Sequence, residues 1–162
     1  MLRVTRSVLS GSTVLHMLDL ERASTWAPGD LDIYAPIHHA ARVVAYLISA
    51  EGYTVDHTNA FYYSPDGVGL QSVVHLRRGD THIDVIQSAT RSSLHPIPHF
   101  WASHLINYVT ADSFCMAYPE LTLSGRSVIN PAALDGFLFP RQRTLQVIDK
   151  YSSRGYSIRV RP

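Results

Sequence analysis

A chain of 162 residues, 46% of them hydrophobic, can bury a normal core, so we expect a single domain over residues 1–162. A formal net charge of +1 gives no electrostatic indication of a nucleic-acid or membrane partner, and one cysteine excludes an intrachain disulfide. Residues 1–9 lack the apolar run of a signal peptide, and no stretch of about 18 apolar residues could span a membrane. These features predict an intracellular, cytoplasmic protein.

Strands and helices alternate in the first part of the chain. Residues 4–10 have the pattern of a strand that stops at Gly11, and Ser12 can cap the helix that follows. A second strand is predicted over residues 30–35. The clearest helix is predicted over residues 37–51, because its apolar residues fall on one stripe.

A β-hairpin is predicted over residues 67–87. With a two-residue turn at 78–79, His75 would lie opposite His82, and Val73 would lie opposite Asp84. This pairing buries one apolar face and leaves a polar face rich in histidine and carboxylate groups. The polar face comprises His75, Arg77, Asp80, His82 and Asp84.

The remaining segments are less regular. Residues 53–63 are mixed and compatible with a strand, and residues 100–109 have the spacing of a helix. Residues 114–123 could form a strand or a turn, residues 125–139 have the composition of a loop, and residues 140–153 predict a final helix. The elements together predict an α/β or α+β fold, in which a mixed sheet carries helices on one face.

Two aspartates, Asp30 and Asp32, lie two residues apart in the predicted second strand. Side chains alternate across a pleated strand, so both carboxylates point to one side while Leu31 and Ile33 point to the other. Aspartate is depleted in strands, and the repulsion between two carboxylates is relieved by a hard cation such as Mg²⁺ or Mn²⁺. The alternative is an edge strand with two solvated aspartates.

Two further features fit metal chemistry on a phosphate. Gly11 and Ser12 stand at a strand-to-helix junction, where backbone amides can approach an anion, although an ordinary turn with a serine cap is the alternative. Asp84 is a third carboxylate in a strand-like run. Three clustered carboxylates preceded by a Gly-Ser turn are what two-metal chemistry on a nucleoside triphosphate requires.

The order of these motifs resembles the nucleotidyltransferase fold of the polymerase-beta-like superfamily. A Gly-Ser turn, an Asp-x-Asp strand and a later strand with a third aspartate are matched by Gly11 and Ser12, by Asp30 and Asp32, and by Asp84. The chain also looks similar to a group of uncharacterised fungal nucleotidyltransferase-like proteins. The segments that carry this second likeness are residues 11–13, 29–34, 100–110, 117–119, 150–151 and 154–156.

The resemblance implies an Mg²⁺- or Mn²⁺-dependent transferase that binds a nucleoside triphosphate such as ATP and moves its nucleoside monophosphate to an unidentified acceptor. Asp30 and Asp32 would bind two metal ions, and Asp84 would share the catalytic metal and help to deprotonate the acceptor. Gly11 and Ser12 would hold the β- and γ-phosphates. A catalytically inactive scaffold of the same fold, binding nucleotide or a partner, and a metal-dependent hydrolase are the alternatives.

Other residues with chemical potential have competing interpretations. His82 and Asp84 could form a transition-metal site, whereas partly buried or surface histidine is the simpler interpretation. Lys150 and Arg154, four residues apart at the end of the last predicted helix, could contact phosphates or form a solvated helix end. Cys115 lies in an apolar run and is expected to be buried.

Overall fold

The structure is a computed structural model that describes residues 1–60, 69–135 and 139–161. Within these ranges the chain forms six α-helices, short 3₁₀ turns, a seven-stranded mixed sheet and two two-stranded sheets. The helices are α1 (Leu2–Thr5), α2 (Gly11–Leu18), α3 (Leu20–Ala23), α4 (Ala40–Ser49), α5 (Pro119–Leu123) and α6 (Gln142–Ser152). The strands are β1 (Val8–Ser10), β2 (Leu31–Ala35), β3 (Thr54–Ala60), β4 (Leu70–Arg78), β5 (Thr81–Ser88), β6 (Asn107–Val109), β7 (Phe114–Met116), β8 (Arg126–Val128), β9 (Leu134–Asp135), β10 (Phe139–Pro140) and β11 (Ser157–Arg159).

The large sheet has the strand order β3-β4-β5-β2-β1-β6-β7. The central pair, β2 and β5, is parallel, and the other neighbouring strands are antiparallel. The small sheets pair β8 with β11 in parallel and β9 with β10 in antiparallel orientation. The mixed sheet and its helices confirm the expected α+β class.

The apolar side of α4 packs on one face of the sheet. Val43 and Leu47 are buried against Ile33 of β2 and Val85 of β5. The helix is shorter at both ends than the predicted 37–51, and Gly52 follows it with a φ of +72°. Burial of this face fixes the direction of the alternating polar residues on β2 and β5.

The opposite face of the sheet is covered for part of its length. Tyr34 and Ile86 are buried there with Ile97, and Phe100 packs against them. The chain after β5 therefore folds back over this face and covers it at Tyr34 and Ile86.

The hairpin of β4 and β5 forms with a different register from the predicted one. Its turn residues are Gly79 and Asp80, and Gly79 adopts a φ of +57° at the first central position, as in a type II′ turn. His75 consequently lies opposite Asp84 rather than opposite His82. The difference is an even number of residues, so the same side chains remain on the polar face.

The first predicted strand is confirmed only in its second half, and the helix predicted over residues 100–109 is wrong in type. Of residues 4–10, the first part forms α1, a left-handed turn follows at Arg6 with φ 53°, and only β1 is a strand. Residues 100–109 do not form a helix, because a 3₁₀ turn over Ser103–Leu105 leads directly into β6, which pairs with β1 and β7. The pairing partner Leu9 lies far away in the sequence, so local spacing alone does not reveal this strand.

The other predicted elements are refined. Residues 53–63 contain β3, and the last three of these positions lie outside the described residues. Positions 67 and 68 of the predicted hairpin and positions 136–138 of the expected loop also lie outside them. Residues 114–123 contain β7 and α5, residues 125–139 contain β8 and β9, and the final helix is confirmed as α6.

Within the described part of the chain, none of the helices has the length and apolar character needed to cross a membrane.

Candidate metal centre

The parallel pairing of β2 and β5 brings three carboxylates together. Asp32 lies directly opposite Asp84, and Asp30 immediately precedes β2. One carboxylate oxygen from each of the three residues lies within 4.8 Å of the others. Asp30 is exposed, whereas Asp32 and Asp84 are partly buried. The alternation of side chains along each strand thus produces the convergence that the sequence predicted.

Burial and the negative charge of the cluster act together on the carboxyl group of Asp32. Burial, together with the negative charges of Asp30 and Asp84, raises the pKa of Asp32 from 3.8 to about 7. The ammonium group of Lys150, on α6, acts in the opposite direction and lowers this pKa. The cluster therefore concentrates negative charge that a cation would stabilise.

The Gly-Ser turn lies against the same cluster. Gly11 begins α2 with a φ of +73°, and a Cβ atom at this position would overlap the carboxylate of Asp32. The hydroxyl of Thr13 donates a hydrogen bond of 2.5 Å to the backbone carbonyl of Asp30, which ties the approach to β2 to the first turn of α2. Ser12 is buried in this turn. The first turn of a helix leaves backbone amides without intrahelical partners, so anion-binding groups stand beside the carboxylates.

A row of polar side chains crosses the sheet through this centre. Ser10, Asp32, Asp84, His75 and His57 occupy successive register positions on β1, β2, β5, β4 and β3. Nδ1 of His75 lies 2.7 Å from Oδ1 of Asp84, and the ring of His57 stacks on that of His75 at 4.1 Å between centroids. The carboxylates therefore have helix α2 on one side and a histidine pair on the other.

The alternative pairing of His82 with Asp84 as a transition-metal site gains no support. His82 lies opposite Arg77, two pairs further towards the turn than Asp84 and His75. Among the described residues, the three aspartates form the one group of three or more potential ligands whose donor atoms are close enough to hold a metal ion. Three carboxylates are hard oxygen donors, a set that fits Mg²⁺ or Mn²⁺ better than a soft metal.

The basic residues of the C-terminal segment have separate environments. Arg154 is 9% exposed, and its guanidinium lies 3.9 Å from the ring centroid of Trp26 and 4.8 Å from that of Tyr151. Arg154 is thus a packed cation–π residue rather than a solvated helix end. Lys150 is exposed and close enough to influence Asp32, which leaves its ammonium group accessible to a negatively charged ligand.

Local sequence patterns did not predict that Lys150 and His75 lie beside the three aspartates. Lys150 approaches the centre because Tyr151 of α6 packs with Leu15 of α2, and no local pattern encodes that contact. His75 could have been identified as the neighbour of Asp84, because glycine at the first central position of a type II′ turn favours Gly79 and Asp80 as the turn residues. Cys115, expected to be buried, is only partly buried on the edge strand β7.

Comparison of the chain with protein-family models, curated proteins and solved structures finds no match in any of the three. The relationship to the polymerase-beta-like superfamily therefore remains a prediction. It rests on the sequence motifs of Gly11 and Ser12, of Asp30 and Asp32, and of Asp84.

Proposed function

We propose that this chain is an Mg²⁺- or Mn²⁺-dependent nucleotidyltransferase, which moves a nucleoside monophosphate from a nucleoside triphosphate to an acceptor hydroxyl or phosphate. The observation that carries the proposal is the convergence of Asp30, Asp32 and Asp84 beside the first turn of α2. Carboxylates and helix-terminal amides side by side suit a ligand that consists of metal ions and phosphates.

The three carboxylates would hold the divalent cations. Bound cations would neutralise the charge on the phosphates and favour an in-line displacement. The raised pKa of Asp32 supports this assignment, because burial and two neighbouring carboxylates disfavour its ionised form unless positive charge is nearby. Without a cation, the cluster opposes its own ionisation.

The phosphate side of the proposed site is formed by α2. Gly11 has no side chain, so a triphosphate can approach the backbone amides at the start of the helix. Ser12 would contribute its hydroxyl to the β- or γ-phosphate, and Lys150 would contribute positive charge from α6. This arrangement positions the ligand and stabilises its charge, which is the main protein contribution in phosphoryl transfer generally.

The proposed reaction is an in-line displacement at the α-phosphorus of the nucleoside triphosphate. The acceptor oxygen forms a bond to the α-phosphorus while the bond from that phosphorus to the bridging oxygen breaks. Pyrophosphate leaves with the electron pair of the broken bond. The proton of an acceptor hydroxyl passes to the carboxylate of Asp84, which acts as the general base.

Product analysis with labelled nucleotides tests this proposal. Each of the four common nucleoside triphosphates, labelled at the α-phosphate, is incubated with Mg²⁺ or Mn²⁺ and with pools of hydroxyl and phosphate acceptors. We expect pyrophosphate release and label on an acceptor from the wild type, and loss of both in Asp32→Asn. Asp80→Asn, at the exposed hairpin turn, is the matched control and should retain activity.

Other outcomes contradict the proposal in distinguishable ways. Release of phosphate or pyrophosphate with the label only on free nucleotide identifies a hydrolase. Metal-dependent nucleotide binding without any product in all acceptor pools favours the inactive scaffold. Failure to bind any triphosphate in the presence of metal ions rejects a nucleotide function altogether.

A further inference from the structure

Asp84 differs from the other two aspartates in how its carboxylate is held. Its Oδ1 atom lies 2.7 Å from Nδ1 of His75, directly across the antiparallel pair of β4 and β5. Both side chains are largely shielded, with exposed fractions of 25% for His75 and 22% for Asp84. Among the described residues, no side chain donates a hydrogen bond to the carboxylate of Asp30 or Asp32. Among the described residues, Asp84 is thus the one member of the cluster whose carboxylate is held by a side-chain hydrogen bond.

The tautomer of His75 is determined by its second neighbour. Nδ2 of Asn59, on β3, lies 3.1 Å from Nε2 of His75. An amide nitrogen can only donate, so Nε2 of His75 accepts and the imidazole hydrogen resides on Nδ1. The Nδ1–H group then donates to Oδ1 of Asp84. A chain of hydrogen bonds therefore runs from Asn59 through His75 to the metal centre.

The imidazole of His75 is also restrained by stacking. The ring of His57 lies against it at 4.1 Å with an interplanar angle of 19°. His57 is in turn hydrogen-bonded through its Nδ1 to Oδ2 of Asp56 at 2.8 Å. Rotation of the His75 ring would break the stack and both hydrogen bonds, so the donor to Asp84 has a defined direction.

We propose that His75 is a positioning residue for Asp84. It holds Oδ1 of the carboxylate by a hydrogen bond and leaves Oδ2, which has no hydrogen bond among the described residues, for the cation or for the acceptor proton. The inference rests on the proposed function and adds a residue that the superfamily motif does not include. Hydrogen-bonding groups behind a metal ligand fix its orientation, and their loss typically weakens metal binding by roughly 10–100-fold.

Two substitutions of His75 separate its hydrogen bond from its bulk. The side-chain amide nitrogen of asparagine takes the place of Nδ1, whereas that of glutamine takes the place of Nε2. Mn²⁺ affinity is measured by calorimetric titration of the metal alone into the full chain. We expect His75→Gln to weaken Mn²⁺ binding by roughly 10-fold or more and His75→Asn to retain most of the affinity.

Controls distinguish this effect from unfolding and from failure of the proposed function. His38→Asn, at an exposed histidine without a hydrogen-bond partner among the described residues, should bind Mn²⁺ as the wild type does. Melting temperatures of the metal-free variants show whether each one is folded. Equal Mn²⁺ affinity in the wild type and His75→Gln overturns the positioning role alone. Absence of Mn²⁺ binding in the wild type overturns the metal centre, and the positioning role with it.

A second readout does not depend on metal or activity. Nitrogen-15 NMR of the metal-free protein reports which imidazole nitrogen of His75 carries the hydrogen. We expect protonated Nδ1 and unprotonated Nε2 in the wild type, and a mixture of tautomers in Asn59→Ala. A wild-type tautomer with hydrogen on Nε2 contradicts the proposed orientation of the hydrogen bond, whatever the metal titration gives.

Discussion

Gly11 lies against the carboxylate of Asp32 with a φ of +73°, so both its backbone and its missing side chain matter. Gly11→Ala introduces left-handed strain of about 1–2 kcal/mol and a methyl group that overlaps the carboxylate. Gly52→Ala is the matched control, because Gly52 has a φ of +72° and no atom within 4 Å of the added Cβ. Thermal denaturation should show a greater loss of stability for Gly11→Ala. Equal losses in both variants would contradict the close contact with Asp32.

The raised pKa of Asp32 predicts a specific pH dependence of stability. Between about pH 4 and pH 7 the folded carboxyl group retains a proton that the unfolded chain has lost, so unfolding releases a proton. The contribution of Asp32 to stability is fully present below the unfolded pKa of 3.8 and is lost as the pH rises through about 7. We expect metal-free wild type to lose stability relative to Asp32→Asn over this range.

A second group, His104, also makes stability depend on pH. Its contribution is removed when the stability of the wild type is compared with that of Asp32→Asn. Burial and the nearby positive charge of Arg154 lower the pKa of His104 to about 3, so His104 makes stability rise with pH between about 3 and 6.5. Both proteins contain His104, so its effect cancels in their difference. Denaturant unfolding at several pH values gives that difference, and a value independent of pH would argue against the raised pKa.

At the scale of elements, one buried hydrogen bond joins the C-terminal segment to the start of the chain. The hydroxyl of Tyr156, which follows α6, donates to Oδ2 of Asp19 at 2.6 Å, and Asp19 is 1% exposed at the junction of α2 and α3. Arg22 also contacts the Asp19 carboxylate. This contact helps to place α6, and with it Lys150, beside the metal centre.

Tyr156→Phe tests this docking by removing only the hydroxyl. The buried carboxylate of Asp19 loses one donor, so we expect a loss of about 1–3 kcal/mol in the free energy of unfolding. Tyr46→Phe is the control, because Tyr46 is 39% exposed and its hydroxyl bonds Glu51 at the surface. The control should change stability by less than about 0.5 kcal/mol. Similar small losses in both would show that the buried bond does not anchor the segment.

The elements that were predicted correctly are those whose structure depends on residues close together in the sequence. Helices α4 and α6 follow from amphipathic periodicity, and the common orientation of Asp30 and Asp32 follows from alternation along β2. Strand β6 could not be predicted, because its three residues become a strand only by pairing with β1 and β7. The partners of a short strand are set by tertiary packing rather than by its own composition.

In the candidate site, too, some features follow from local sequence and others depend on the topology of the whole sheet. Alternation predicts that Asp84 lies on the polar face of its hairpin, and this is confirmed. That β5 is the parallel neighbour of β2, which sets Asp84 opposite Asp32, depends on the topology of the whole sheet. The hydrogen bond from His75 depends on the turn at Gly79, where a shift of the turn by one residue changes every cross-strand pair.

For the whole molecule, a metal site linked to folding predicts a ligand-dependent melting temperature. Mn²⁺ at about 100 times its dissociation constant should add about 2.7 kcal/mol of stability by mass action. For a chain of this size, that corresponds to a rise of roughly 5–10 °C in melting temperature. Asp84→Asn, which removes one of three ligands, should respond less. A rise of the same size in Asp84→Asn would place the Mn²⁺ site elsewhere.

The central claim is that the three aspartates and the start of α2 form one metal-dependent triphosphate site. The most direct test is calorimetric titration of a non-hydrolysable nucleoside triphosphate into the full chain, with and without Mn²⁺. We predict binding by the wild type that requires Mn²⁺ and that is lost in Asp30→Asn and Asp32→Asn while both variants remain folded. Binding that is equally strong without Mn²⁺, or unchanged in these variants, would contradict the claim.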